Sequence, residues 1–74
     1  MTAKVINNGW NAAVNALEAC KSKEERKAKA AKLLANVEEV QEKYNSDQTI
    51  FHYAEGTRDA ICEWESTGEI PSEA

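Results

Sequence analysis

The sequence predicts an all-α protein, in which an antiparallel helical hairpin and an N-terminal helix form a three-helix bundle-like unit that assembles as an oligomer. Apolar residues recur every three or four positions in three separate stretches, which is the period of a helix face. Start and stop signals separate the stretches. A chain of 74 residues forms one domain, here residues 1–66, and domains of this size often depend on association for stability.

The second helix is the most clearly bounded. Ser22 followed by Glu25 is a capping box, which places the start of a helix at Lys23. Strong helix formers then continue to about Tyr44, which gives a helix over residues 23–44. Its apolar face consists of Ala30, Leu33, Leu34, Val37, Val40 and Tyr44.

The third helix follows after a short polar turn. Asn45, Ser46 and Asp47 favour helix ends over helix interiors, because their side chains compete for backbone hydrogen bonds. A new apolar series then predicts a helix over residues 47–66, ending before Gly68 and Pro71. The series is Ile50, Tyr53, Ala54, Thr57, Ile61 and Trp64.

Charge supports an antiparallel pairing of these two helices. Residues 1–45 carry eight basic and six acidic side chains, whereas residues 46–74 carry one basic and seven acidic. If the chain folds back near Ser46, Lys29 lies near Glu63 and Lys27 near Glu65. We therefore expect ion pairs along the hairpin.

The first helix is expected over residues 3–21. Gly9 disfavours a helix by about 1 kcal/mol relative to Ala, so the helix could instead begin at Asn7 or Asn8. Gly9, Ala12 and Ala16 would let another backbone approach closely. The short link to the second helix leaves two arrangements open, neighbouring helices or one kinked rod. The rod would leave the Trp10 face unburied by its own chain and require an oligomer, whose interface is predicted at Trp10, Val14 and Leu17.

A partner-binding surface is predicted from two features. Asn8, Asn11 and Asn15 recur at helical spacing, where an ordinary solvated face would carry Lys and Glu. Phe51 lies off the core stripe of its helix, on the flank shared with Arg58, so it either receives the first helix or faces a partner. The alternative for the asparagines is an ordinary exposed face.

A different class of function is also compatible with the residues. Phe51 and Arg58 could hold a planar anionic ligand such as a nucleotide, with Lys27 and Lys29 of a neighbouring subunit on its phosphates. The net charge of −4 argues against general binding of nucleic acid. A local basic segment remains, which we interpret as solvated or paired within the chain: Lys21, Lys23, Arg26, Lys27, Lys29 and Lys32.

The sequence contains no pattern that predicts an enzyme, a cofactor or a metal site. Gly-rich phosphate loops, Ser-His-Asp sets and metal-finger spacings are absent. His52, Glu55, Asp59 and Glu63 extend over three turns, so they are expected to form a solvated acidic face. Cys20 and Cys62 are expected to be reduced thiols in a cytoplasmic protein without a membrane span.

The predicted function is that of a small, non-enzymatic regulator or inhibitor that binds another protein. Phage and mobile-element proteins that act on a host protein are of this kind. Sequestration of a small anionic ligand between subunits is the alternative. Its partners are expected to be a second copy of the chain and an unidentified protein. Residues 67–74 are predicted to be a flexible acidic tail, with Ile70 as the residue that could attach to the bundle.

Overall fold

A computed structural model describes residues 2–74 and confirms the all-α prediction. Three helices follow one another, α1 (Thr2–Ala19), α2 (Lys23–Lys43) and α3 (Gln48–Thr67). Their bounds lie within two residues of those predicted. Helix α1 already begins at Thr2, so Gly9 lies inside the helix and neither Asn7 nor Asn8 is its N-cap. None of these helices combines the length and apolar character that crossing a bilayer requires.

Side-chain caps fix the helix ends. The hydroxyl of Ser22 accepts a hydrogen bond of 3.1 Å from the amide of Glu25, and Asp47 accepts one of 3.2 Å from the amide of Ile50. Gly68 ends α3 in the left-handed conformation, with φ of 78°. The capping box differs from expectation in one respect, because the Glu25 carboxylate accepts from the amide of Lys21 and not from that of Ser22.

Arg26 closes the corner between α1 and α2. Its Nε donates to the carbonyl oxygen of Leu17 at 3.2 Å, and its Nη2 donates to that of Cys20 at 3.3 Å. Carbonyls in the last turn of a helix have no partner within that helix, so a cation there satisfies them and opposes the negative end of the helix dipole. This corner excludes the continuous rod, and it shows that Arg26 is a capping residue within the basic segment.

The main helix pair is α1 with α3, not the predicted hairpin of α2 and α3. The two backbones meet at Gly9 and Gly56: a Cβ on Gly9 would overlap the carbonyl of Tyr53, and one on Gly56 would overlap that of Ile6. The helices run in the same direction, because their first turns lie together. The sequence predicted that another backbone approaches Gly9 closely, but it did not identify Gly56 as the matching position on α3.

The core lies mainly between α1 and α3. Leu17 and Ile61 are fully buried and Val14 is 1% exposed, with Trp10 packed against the same cluster. This corrects the predicted oligomer interface, because Val14 and Leu17 are core residues of a single chain, and Trp10 is half-buried there. The other buried apolar members are Ala13, Ala30, Ala60 and Trp64.

Helix α2 is antiparallel to α3, as the charge distribution predicted, but the ion pairs expected along this hairpin do not form. Lys27 and Glu65 line the same surface hollow, which places the start of α2 beside the end of α3. Nevertheless no Lys or Arg forms an ion pair within 4.0 Å anywhere in residues 2–74. Lys29 instead borders Ala16 of α1, so the predicted pair with Glu63 does not form.

The segment after Gly68 turns back along α1. The indole Nε1 of Trp10 donates to the carbonyl oxygen of Ser72 at 2.7 Å. The Asn11 side chain binds the main chain of Ala74 twice, accepting from its amide at 2.7 Å and donating to its carbonyl at 3.4 Å. Ile70 packs against the core, which is the attachment expected of it. The flexibility of residues 67–74 stays a prediction, but their position is against α1.

Candidate functional site

The five predicted partner-binding residues do not form one surface. Asn8 and Asn15 are exposed on α1, whereas the Asn11 side chain is occupied by Ala74. Phe51 and Arg58 lie on α3, where the Arg58 side chain and the main-chain carbonyl of Phe51 bind Gln41 of α2. The asparagines of α1 and the pair Phe51 and Arg58 therefore belong to different surfaces of the bundle.

Gln41 explains the position of Phe51 and Arg58. This buried residue of α2 donates from Nε2 to the carbonyl oxygen of Phe51 at 3.3 Å, and its Oε1 accepts a hydrogen bond from the Arg58 guanidinium. Burial of an amide is tolerated when its donors and acceptors are satisfied in this way. Gln41 thus binds the main chain of Phe51, whereas it binds the Arg58 side chain directly; the half-buried Phe51 ring makes an edge contact with His52.

The residues of the alternative ligand site are also dispersed. Arg58 is engaged by Gln41. Lys27 borders a hollow with Trp64 and Glu65, while Lys29 faces α1 on the other flank of α2. A single chain therefore does not bring Phe51, Arg58, Lys27 and Lys29 around one ligand.

The most open part of the bundle is the seam between α1 and α2, which touch little apart from their connecting corner. Two hollows lie between α1 and α2, and a third, lined by α2 alone, shares residues with both. We call them together the α1–α2 furrow, whose lining includes Ala12, Ala16, Glu25, Lys29, Lys32, Leu33, Asn36, Glu39, Val40, Ile50 and Tyr53. Helix α3 contributes Ile50 and Tyr53 as the floor of one end.

One end of the furrow is apolar. Its hollow measures about 450 Å³, which is within the range of pockets that bind small molecules or single anchoring side chains. Leu33, Val40 and Ile50 line it as half-buried residues, and Tyr53 remains 44% exposed at its edge. A hollow with this lining leaves apolar area in contact with water, and covering it would be favourable.

The other end carries charged side chains. Lys29 and Lys32 border both remaining hollows, of about 540 and 470 Å³. Leu33 and Asn36 border the apolar hollow as well as the adjoining charged one, so the furrow is continuous. Acidic side chains also border it, namely Glu25 and Glu39. The two lysines and the two glutamates balance, so the lining of this end has no net charge.

The furrow arises from the small side chains of α1. Ala12, Ala16 and Ala19 form its α1 wall, and an alanine reaches too short a distance to fill the space between separated helices. Gly9 takes the close contact with α3, so the alanines that were expected to share that role border open space instead. Asn8 and Asn15 lie four residues before and three after Ala12, which places them on the same side of the helix as this wall.

Other reactive side chains remain separate from the furrow's apolar end. Over residues 2–74, no group of three or more His, Cys, Asp and Glu side chains is arranged to hold a metal ion. His52 lies 3.8 Å from the Glu55 carboxylate, at the start of α3. Cys20 and Cys62 are both free thiols.

Comparisons with models of protein families, with curated proteins and with solved structures find no match to this chain. The functional proposal therefore depends on the geometry of the furrow.

Proposed function

We propose that this protein is a non-enzymatic, protein-binding regulator or inhibitor, and that it receives an amphipathic helix of its partner in the α1–α2 furrow. The observation that carries the proposal is the open apolar hollow between all three helices, lined by Leu33, Val40, Ile50 and Tyr53. Helix-in-groove recognition places the apolar face of a helix into such a channel.

The dimensions of the furrow suit a short helix. Its α2 wall runs from Glu25 to Val40, and at 1.5 Å per residue this corresponds to about 22 Å, or about 15 residues of a docked helix. A fourth helix in this seam would complete the bundle around the furrow, because α1 and α2 are already its side walls and α3 supplies the floor at the apolar end.

The residues at the apolar end are suited to binding. Tyr53 combines a large apolar ring with a polar hydroxyl, and tyrosine is enriched among the residues that contribute most binding energy at interfaces. The rim offers the exposed amide of Asn36, and Asn8 and Asn15 are exposed on the same side of α1 as Ala12. These uncharged groups can hydrogen-bond to a partner with a smaller desolvation cost than charged side chains.

The proposal requires neither a second copy nor an anionic ligand. The oligomer was expected because α1 had no assigned partner, but Val14 and Leu17 are buried within one chain. Sequestration of an anion would need Phe51, Arg58, Lys27 and Lys29 to meet across subunits, and no contact in the structure favours that arrangement over the furrow.

Site-specific photo-crosslinking tests the proposal in the cell that makes the protein. A photoreactive amino acid replaces Asn36, which is exposed at the furrow. The Val40→Asp substitution places a charge in the apolar hollow, and Ser66→Asp adds the same charge at an exposed position of α3 outside the furrow. We expect the same partner protein to be crosslinked by the protein with an unsubstituted furrow and by the Ser66→Asp variant. This crosslink should be lost in the Val40→Asp variant.

Circular dichroism of both variants separates binding from folding, because Val40 lies outside the buried core cluster and its substitution should preserve the helices. An identical crosslinking pattern in a folded Val40→Asp variant would contradict the proposal.

A further inference from the structure

We infer that the hollow between α2 and α3 binds a small organic acid, whose anionic group meets Lys23, Lys27 and the indole N–H of Trp64. This hollow lies on the other flank of α2 from the furrow, and its role does not depend on the proposed function. The inference comes from the size of the hollow, the charge of its lining and an unused hydrogen-bond donor at its wall.

The hollow is large enough for a small molecule. It measures about 650 Å³, and pockets of about 300–1,000 Å³ accommodate such ligands. The first half of α2 forms one side and the end of α3 forms the other. Leu34 and the ring of Trp64 provide apolar surface between them. The apolar body of a ligand therefore has surface to contact.

The lining of the hollow is positively charged. It contains three basic side chains, Lys23, Arg26 and Lys27, and one acidic side chain, Glu65. Within residues 2–74 none of the three basic side chains forms an ion pair, and the carbonyls bound by Arg26 are uncharged. The acidic side chains in the first turn of α2 are not part of the lining. Although the chain has a net charge of −4, an anion is attracted locally to this hollow.

Trp64 presents an indole N–H at the wall of the hollow. The residue is only 7% exposed, and within residues 2–74 its Nε1 donates to no acceptor, whereas Nε1 of Trp10 donates to Ser72 at 2.7 Å. A buried indole N–H usually has a partner. Nε1 of Trp64 is not fully enclosed by protein atoms, unlike Nδ1 of His52, so a molecule in the hollow can reach it.

These groups specify the chemistry of the ligand. Ammonium, guanidinium and indole groups only donate hydrogen bonds, and Glu65 is the one carboxylate in the lining. A carboxylate or phosphate group offers several acceptor oxygens together with the complementary charge. The apolar surface beside the donors favours an acid with an aromatic or aliphatic body over a bare inorganic anion.

Nuclear magnetic resonance of the indole N–H groups of Trp10 and Trp64 tests this inference. The Trp10→Phe variant assigns the two resonances, and the whole protein is then titrated with benzoate, phenyl phosphate, inorganic phosphate and benzyl alcohol. We expect benzoate or phenyl phosphate to shift the Trp64 resonance to saturation while the Trp10 resonance stays in place. Benzyl alcohol, which has no charge, and inorganic phosphate, which has no apolar body, should bind about tenfold more weakly or less.

Two double variants locate the site. Lys23→Ala with Lys27→Ala should weaken binding of the preferred acid by about tenfold, and this loss should shrink as salt is raised. Lys29→Ala with Lys32→Ala removes the same charge from the furrow side of α2 and should change the affinity less than about twofold. All four lysines are exposed, so both variants should remain folded, which circular dichroism checks.

Three results would overturn the inference. The first is the absence of a saturable Trp64 shift with both acids, or an equal shift with benzyl alcohol. The second is an equal loss of affinity in the two double variants, because binding would then follow net charge and not this hollow. The third is equal binding of inorganic phosphate, which would exclude an organic acid as the preferred ligand.

Discussion

The hydroxyl of Thr57 donates a hydrogen bond of 2.9 Å to the main-chain carbonyl oxygen of Gly9, at the point where α1 and α3 pack backbone against backbone. The same hydroxyl also lies 3.3 Å from the carbonyl of Tyr53 in its own helix. A polar side chain in this position is buried, and its partners are the carbonyls of both helices. The crossing of α1 and α3 is therefore held by packing and by a direct hydrogen bond.

Gly56→Ala tests the importance of this crossing. The new methyl group would overlap the carbonyl of Ile6 and the amide of Trp10, so the two backbones must separate. Overpacking of this kind costs about 1–3 kcal/mol, and we expect the upper part of that range because backbone atoms cannot rotate away. The gain in helix propensity, about 1 kcal/mol, is smaller. The melting temperature should fall by roughly 4–8 °C for each kcal/mol of net loss.

Ser66→Ala is the matched control on α3, because Ser66 is exposed and its substitution also adds helix propensity. It should leave the melting temperature unchanged or slightly raised. A Gly56→Ala variant as stable as this control would show that the close crossing is not needed.

The helices were predictable because their signals are local. Ser22 and Asp47 occupy caps that a few neighbouring residues define, and Gly68 ends α3 in the conformation that glycine favours. The pairing of helices was not predictable in the same way. An apolar stripe shows that a helix is buried but does not identify its neighbour, and the charge imbalance indicated the contact between α2 and α3 but not the more extensive one between α1 and α3.

One signal in the sequence could have identified the correct pair. Gly56 is a second glycine within a predicted helix, where glycine is unfavourable unless something requires the space. Together with Gly9 it marks a close crossing of the first and third helices. Gln41 was a similar signal, since it follows Val37 by one turn on the buried side of α2.

The furrow could not be derived from the sequence. Asn8 and Asn15 were predicted as binding residues, and they are exposed on the side of α1 that carries Ala12, but they do not line the hollows. However, the hollow depends on the separation of α1 and α2, which is set by the crossing at Gly56 and the corner at Arg26. The spacing of apolar residues along a helix does not specify how far that helix lies from its neighbour.

Arg26→Ala tests the corner between α1 and α2. The substitution leaves the carbonyls of Leu17 and Cys20 without their guanidinium donor at the negative end of α1. Two partly exposed, charge-assisted hydrogen bonds and the dipole contact together should contribute about 1–2 kcal/mol. We expect a corresponding decrease in the free energy of unfolding measured with urea.

Lys27→Ala removes the same charge from the next position, where the side chain is exposed and forms no ion pair. Its effect should stay within about 0.5 kcal/mol, as is usual for such surface substitutions. Equal losses for Arg26→Ala and Lys27→Ala would indicate that net charge, and not capping, determines the effect.

Asn11→Ala tests the attachment of residues 72–74 to α1. The Asn11 amide binds the main chain of Ala74 through both its oxygen and its nitrogen, so the substitution removes two hydrogen bonds at once. We expect faster hydrogen exchange of the Ala74 amide, and a shift of the Trp10 indole N–H resonance as its bond to Ser72 loosens. Because the contacts reach main-chain atoms, Glu73→Ala should change neither signal. Asn15→Ala, on an exposed part of the same helix, is the matched control, and an equal response from it would contradict a specific attachment at Asn11.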